Sequence, residues 1–183
     1  MLTADELIKE LNTTMVKAKV VKLTAILQKQ QFALPDLIDI TFHPDKNIAF
    51  RAAWVLENLF LQKPERYLDH IDYLLSRVKD VKNPSCKRHY TKIVMHITSR
   101  KAPAGIQEKL AGIDLEPVVE QLFDWMIDPK VLIAVKVFAA EALFNMRNRF
   151  SWISDELANQ IQFLMRDGTA AIQSRGRKLL AGL

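Results

Sequence analysis

The side chains best suited to chemistry in this 183-residue chain lie in a few short strings. His43-Pro44-Asp45 and Asp69-His70-Ile71-Asp72 set imidazoles beside carboxylates, the raw material of a metal or acid–base site. A zinc-binding helix needs His at i and i+4 with a third ligand. The four histidines (43, 70, 89 and 96) supply only His89 and His96, seven residues apart. No metal site is predicted, and the histidines are expected at helix ends or on the surface. Asp45 and Asp128 stand beside prolines in predicted turns, which suits helix capping better than catalysis. Cys86, the only cysteine, has Lys87 and Arg88 next to it near a predicted helix start, a setting that lowers a thiol pKa. It also falls four residues before Tyr90 on an apolar stripe, and this predicts a buried, inert thiol. A single cysteine forms no internal disulfide and no Cys-rich zinc site, so a reduced thiol in the cytoplasm is expected.

Charge is the feature with local contrast. The chain holds 26 Lys and Arg against 21 Asp and Glu, a net +5. Between Arg77 and Lys101 lie eight cations (Arg77, Lys79, Lys82, Lys87, Arg88, Lys92, Arg100 and Lys101) and one anion, Asp80, so this segment carries +7 and the rest −2. Such a stripe can engage phosphates or an acidic peptide, although a solvated helix face is the plainer reading. Lys87, Arg88 and Lys92 are expected to share one exposed face. Trp54 and Trp125 fall inside predicted helices and read as packing residues. Phe150 and Trp152, in the connector Arg147-Asn148-Arg149-Phe150-Ser151-Trp152, are better placed for exposure or base stacking, yet packing beneath the connector is preferred there too. No phosphate-binding glycine loop, dinucleotide fingerprint, Gly-x-Ser-x-Gly elbow or His-Glu-x-x-His string occurs. Those enzyme classes are closed, and neither an enzyme nor a cofactor is predicted.

The elements that must position these residues are helices. Apolar residues make up 49% and charged residues 26%, which excludes intrinsic disorder, and only five Gly and seven Pro punctuate the chain. No run approaches the roughly 18 uninterrupted apolar residues of a membrane span. Met1 to Lys22, broken by Asp5, Glu6, Glu10 and several lysines, is expected to be neither signal peptide nor anchor. Thr3-Ala4-Asp5-Glu6 forms a capping box. From Met15 to Lys29, Val16, Val20, Leu23 and Leu27 mark one helical stripe. Pro35 opens a third helix and Asp45 caps a fourth, apolar nearly all round, which ends near Lys63-Pro64. The spacing of Tyr67, Leu68, Ile71, Leu74, Leu75 and Val78 predicts one amphipathic helix over Glu65 to Lys79, and a sixth follows over Ser85 to Ser99. Residues 101–115, with Pro103, Gly105 and Gly112, read as a long loop around a possible single turn. Helices over Glu116 to Asp128, Pro129 to Met146, Asp155 to Met165 (capped by Ser154) and Ala170 to Ala181 complete an all-α chain.

Internal self-similarity organises these helices. Phe50 to Leu59 set over Val137 to Met146 matches Ala-Ala, Leu and Asn at an offset of 87 residues, and Arg88 and Arg175 stand 87 apart as well. Within each half the step is 37 residues, a normal length for two helices and their turns. Small residues at equivalent places, Ala52, Ala139 and Gly176, allow close helix approach.

The strings Leu37-Ile38-Asp39-Ile40-Thr41-Phe42-His43-Pro44-Asp45 with Ala52, Ala53 and Leu56, and Leu122-Phe123-Asp124-Trp125-Met126-Ile127-Asp128-Pro129 with Ala139, Ala140 and Leu143, resemble HEAT or armadillo-type helical repeats. The units centred on Arg88 and Arg175 depart from the pattern, with His89 where a small residue is expected and Asp167-Gly168 replacing Asp-Pro. The resemblance implies a right-handed α-α superhelix of about four to five helix pairs. It would form a single domain over residues 1–183: a degenerate cap over 1–30, then two-repeat halves over 31–100 and 116–183 joined by the 101–115 loop. It further implies a non-enzymatic scaffold in the cytoplasm with a groove for a protein or peptide partner. The alternative is a basic-patch binder of nucleic acid or another polyanion through the eight cations named above; a membrane partner is not expected. A remote third reading comes from DNA glycosylases built of such repeats, which use a basic concave face with tryptophans and an aspartate; Asp124-Trp125 supplies those ingredients without a motif. The Ser-Ser-x-Met-Pro-x-Lys-x-Asn loop of the all-helical fumarase/aspartase lyases is absent.

Overall fold

Thr3 begins the first helix as its residue types dictate. Its hydroxyl accepts from the Glu6 amide at 3.3 Å, while its own amide donates to Glu6 Oε2 at 2.9 Å. In the computed structural model, which describes residues 2–13 and 16–183, this opens α1 (Ala4–Leu11), followed by α2 (Lys17–Lys29). Met15, where the second helix was expected to start, lies outside the described residues, as do Met1 and Thr14. Next come α3 (Leu34–Ile40), with Pro35 in its first turn, and α4 (Lys46–Gln62). The Asp45 carboxylate caps α4, accepting from the amides of Asn47 at 2.8 Å and Ile48 at 3.3 Å. The chain continues through α5 (Ile71–Ser76), α6 (Pro84–Ile97), α7 (Ala104–Ala111), α8 (Glu116–Ile127), α9 (Ile133–Met146), α10 (Ile153–Met165) and α11 (Ala170–Leu180). Among the described residues there is no strand, only an isolated bridge between Leu2 and Phe32.

These helices form an all-α repeat solenoid. The second helices of successive pairs, α2, α4, α6, α9 and α11, pack side by side as one layer, and α1, α3, α5, α8 and α10 lie behind them. The apolar girth of α4 follows from this position. Held between α2, α3 and α6, it buries Ala52, Ala53, Val55, Leu56, Leu59 and Phe60. Ala52 and Ala139 are fully buried in α4 and α9, and both helices flank α6. Gly176 is buried where a Cβ would stand 2.5 Å from Met165 Sδ and 3.0 Å from Ile161 Cγ2, so α11 approaches α10 more closely than an alanine permits without rearrangement.

Several expected elements differ. Glu65 to Lys79 is not one helix: a 3-10 turn over Pro64–His70, α5 and a second 3-10 turn over Val78–Asp80 follow one another, with Tyr67 out of the helical region at φ −117° and ψ 19°. Over so short a span, steps of three and four bury the same face in α and 3-10 geometry, so the apolar pattern does not separate them. The 101–115 stretch is not a loop. Ile106 and Leu110, four apart, are buried and make α7, which packs against Pro64–His70. An ion pair between Lys109 and Asp72 ties it down. Two apolar positions between glycines are a weak signal in sequence but suffice once a neighbour covers them. Pro129 does not open α9. The Asp128 carboxylate accepts from the Lys130 amide at 2.8 Å, closing a local turn, and the helix begins at Ile133. Ser154 sits inside α10 rather than capping it, because the Phe150 carbonyl already accepts from the Ile153 amide at 3.1 Å.

Candidate functional site

In α4 one acid, Glu57, interrupts the apolar surface, and it faces α6. Its Oε2 lies 2.5 Å from His89 Nδ1, and its Oε1 accepts from Lys92 Nζ at 2.6 Å. Glu57 and His89 are both buried. The imidazole stacks on Trp54, with centroids 6.4 Å apart and planes at 20°, and packs at 5.4 Å against Phe50. Burial pushes the Glu57 carboxyl up, but the hydrogen bonds from His89 and Lys92 outweigh it and hold the group below its ordinary value. An ionised carboxylate only accepts, so Nδ1 carries the proton and donates it. Carboxylate–imidazole pairs orient general bases in enzymes. Here two aromatic rings cover the imidazole, and the triad clasps α4 to α6.

Behind α6 stands the first-helix layer, reached by Tyr90, whose hydroxyl is 2.8 Å from Thr41 Oγ1. On its flanks lie α4 and α9, the latter bonded through Asn145 Nδ2 to the Met95 carbonyl at 3.0 Å. The remaining side of α6 carries exposed Arg88 and half-buried Lys92 and His96, one residue per turn. Burial, with Lys92 nearby, lowers the His96 pKa.

The eight cations do not form one strip. Arg77 lies 4.2 Å over the Phe42 ring and donates to Asp80 at 3.1 Å. Lys79 and Lys82 are exposed in the connector before α6, whereas Arg100 and Lys101 are exposed beyond its other end. A 14-residue helix separates the two groups by roughly 21 Å. The first turns of α6 divide as well: Lys87 reaches Trp125 of α8, at 5.5 Å from the ring centroid, and Lys92 reaches the opposite neighbour, α4. Only Arg88 of these three is exposed; Lys87 and Lys92 are half-buried.

Trp125 is buried, as its place in a helix predicts, while Asp124 is exposed on the outer layer, so the two share no cleft. Trp54 is half-buried against His89. Trp152 keeps 42% of its surface exposed although its ring lies 5.5 Å from Phe123. His43 acts at a turn, its Nδ1 accepting from the Asp45 amide at 3.0 Å. His89 contradicts the expectation of a surface or helix-end histidine. It is buried because Glu57 supplies the partner an imidazole needs in the interior. Neither residue was read as a site from sequence. The available signals were a lone carboxylate inside an apolar helix and a histidine where the repeat calls for a small residue.

Cys86 is buried, and burial pushes its thiol up to about 12. The adjacent Lys87 and Arg88 do not activate it, because neither side chain turns toward the sulfur's pocket: one reaches Trp125 and the other is in solvent. A disulfide-exchange reagent is therefore expected to leave Cys86 unlabelled at pH 7 in native protein and to label it fully in denaturant. Rapid labelling of the native state, followed by absorbance, would contradict the burial.

Among the described residues, no group of three or more His, Cys, Asp or Glu side chains could hold a metal ion, and no helix is long and apolar enough to cross a membrane. A family model described as a HEAT repeat domain matches residues 7–183. No curated protein and no solved structure matches the chain.

Proposed function

Because the chain belongs to the HEAT repeat family, matched over residues 7–183, we propose that it is a non-enzymatic cytoplasmic scaffold whose second-helix layer receives an acidic segment of a partner protein. Repeat solenoids serve chiefly as extended binding surfaces. The observation that carries the reading is exposed Arg88, in line along α6 with half-buried Lys92 and His96 and beside the Trp54–His89 stack. With Lys92 committed to Glu57 and the His96 pKa lowered by burial, Arg88 is the cation this surface offers to incoming carboxylates, beside the aromatic edge of Trp54.

The test is fluorescence anisotropy of a labelled Glu-rich peptide with unmodified protein and with Arg88→Glu. The reversal is expected to weaken binding about three- to tenfold, mainly through a like-charge clash. It should change stability by less than about 0.5 kcal/mol, since Arg88 is exposed. Equal affinity of both proteins would remove this face from the reading.

The exposed pairs Lys79 and Lys82, and Arg100 and Lys101, support a second reading, a polyanion laid across both ends of α6. Labelled single- and double-stranded oligonucleotides separate the two. Each phosphate contact contributes roughly 0.7 to 0.9 to the slope of log affinity against log salt. A steep slope with oligonucleotides and no peptide binding would favour the polyanion; no oligonucleotide binding at low salt would eliminate it.

A further inference from the structure

The turn between α8 and α9 leaves three large aliphatic side chains in water. Ile127 is 57% exposed, Leu132 51% and Ile133 39%, and Pro129 and Lys130 between them and Ala134 beside them are exposed too. Other exposed large apolar residues among those described are spread along α2 and α10, a connector and the C-terminal residue, whereas these three flank one corner. Clustered exposed aliphatics of this kind mark interaction surfaces more often than scattered ones do.

The corner continues a charged ridge. Along α8, Glu116, Glu120 and Asp124 are all exposed, spaced four residues apart, and Ile127 follows three residues later. At 100° per residue these four positions fall within an arc of roughly 80°, so they form one line on the outer surface, about 16 Å long. None of the three carboxylates enters an ion pair among the described residues; the acids that do are Glu57, Asp72, Asp80 and Glu141. A protein with a net charge of +5 thus holds three carboxylates outside any ion pair in a row that ends on a largely apolar corner, whose one exposed cation is Lys130.

We propose that this α8–α9 corner is a second docking site, which takes a cationic amphipathic helix from a partner protein. A helix laid along α8 would present Lys or Arg once per turn to Glu116, Glu120 and Asp124. Its apolar end would cover Ile127, Leu132 and Ile133. Charge sign selects this occupant, because the ridge repels nucleic-acid phosphates and anionic lipid alike. Its acidic ridge lies along α8 on the outer layer, away from Arg88, so the site does not depend on the acidic-segment reading of the α6 face.

The experiment uses the full chain and a labelled helical peptide of about four turns, with Lys at every fourth position and Leu at its apolar end. A scrambled peptide of identical composition serves as the control. Two double variants, Glu120→Lys with Asp124→Lys and Ile127→Ser with Leu132→Ser, alter only exposed positions and should keep the unmodified melting temperature. Each is expected to lower peptide affinity at least about tenfold, whereas Arg88→Glu on the other layer leaves it unchanged. Absence of binding at low salt, equal binding of the scrambled peptide, or indifference to both double variants would overturn the proposal. Light scattering adds a further check. A dimer of the unmodified protein that Ile127→Ser with Leu132→Ser dissolves would show that a second copy of this chain occupies the corner instead, and would overturn the proposal too.

Discussion

Leu56→Ala and Leu143→Ala are each expected to destabilise the protein by about 2 to 5 kcal/mol. Both side chains are fully buried, in α4 and α9, the second-layer helices on either side of α6. The loss combines the transfer free energy of the deleted methyl and methylene groups with a cavity that the neighbours cannot close. α4 is packed against α2, α3 and α6, and α9 against α6, α8, α10 and α11, so neither helix can collapse into the void without opening another seam. For a chain of this size, 1 kcal/mol lowers the melting temperature by roughly 2 to 4 °C, so each variant should melt roughly 4 to 20 °C below the unmodified protein. Calorimetry measures this directly. Near-identical melting of either variant would mean that the leucine does not lie in the packed layer.

Glu57→Ala should cost a similar amount, about 3 to 5 kcal/mol, for a different reason. The substitution strands Lys92 beside the interior and removes the acceptor of His89 in a buried site. The pH dependence distinguishes this electrostatic origin from simple packing. Because the folded-state pKa of Glu57 is depressed below its ordinary value of 4.5, the contribution of the carboxylate is complete above the unfolded pKa. It is lost as the pH falls through the folded value. Denaturant unfolding should therefore show the full gap between the two proteins near pH 7 and a narrowing gap toward acid. A gap that stayed constant down to about pH 2 would show that the carboxylate does not titrate as its partners require. Replacing Glu57, His89 and Lys92 together by apolar residues should cost far less than the single truncation, since a buried ionic cluster exchanged whole for well-packed apolar groups is often near neutral.

The legible parts of the fold share a short range. Thr3 finds Glu6 three residues away, Asp45 finds Asn47 and Ile48, and the stripe of Val20, Leu23 and Leu27 needs only the pitch of one helix. The Ala-Ala and Leu positions that repeat after 87 residues record the same local demand met twice. Where two local patterns gave one spacing, as over Glu65 to Lys79, the sequence did not distinguish 3-10 turns from a continuous helix.

By itself, then, the sequence determined that the chain is helical, where most helices begin and which face of each is apolar, because capping and periodic burial are settled among residues no more than four apart. Tertiary structure alone decided the rest. Glu57 meets His89 across 32 residues and Lys92 across 35, and no local rule pairs them. Lys87 and Lys92, five apart on one helix, part toward α8 and α4 because a long side chain goes to the neighbour that packing places within reach, and so the basic stripe divides. Ile127, Leu132 and Ile133 look like any other apolar positions in the chain. They stand in water only because the stacking of α8 and α9 against their neighbours leaves that corner uncovered, and whether an apolar side chain is covered is a property of the assembled layers.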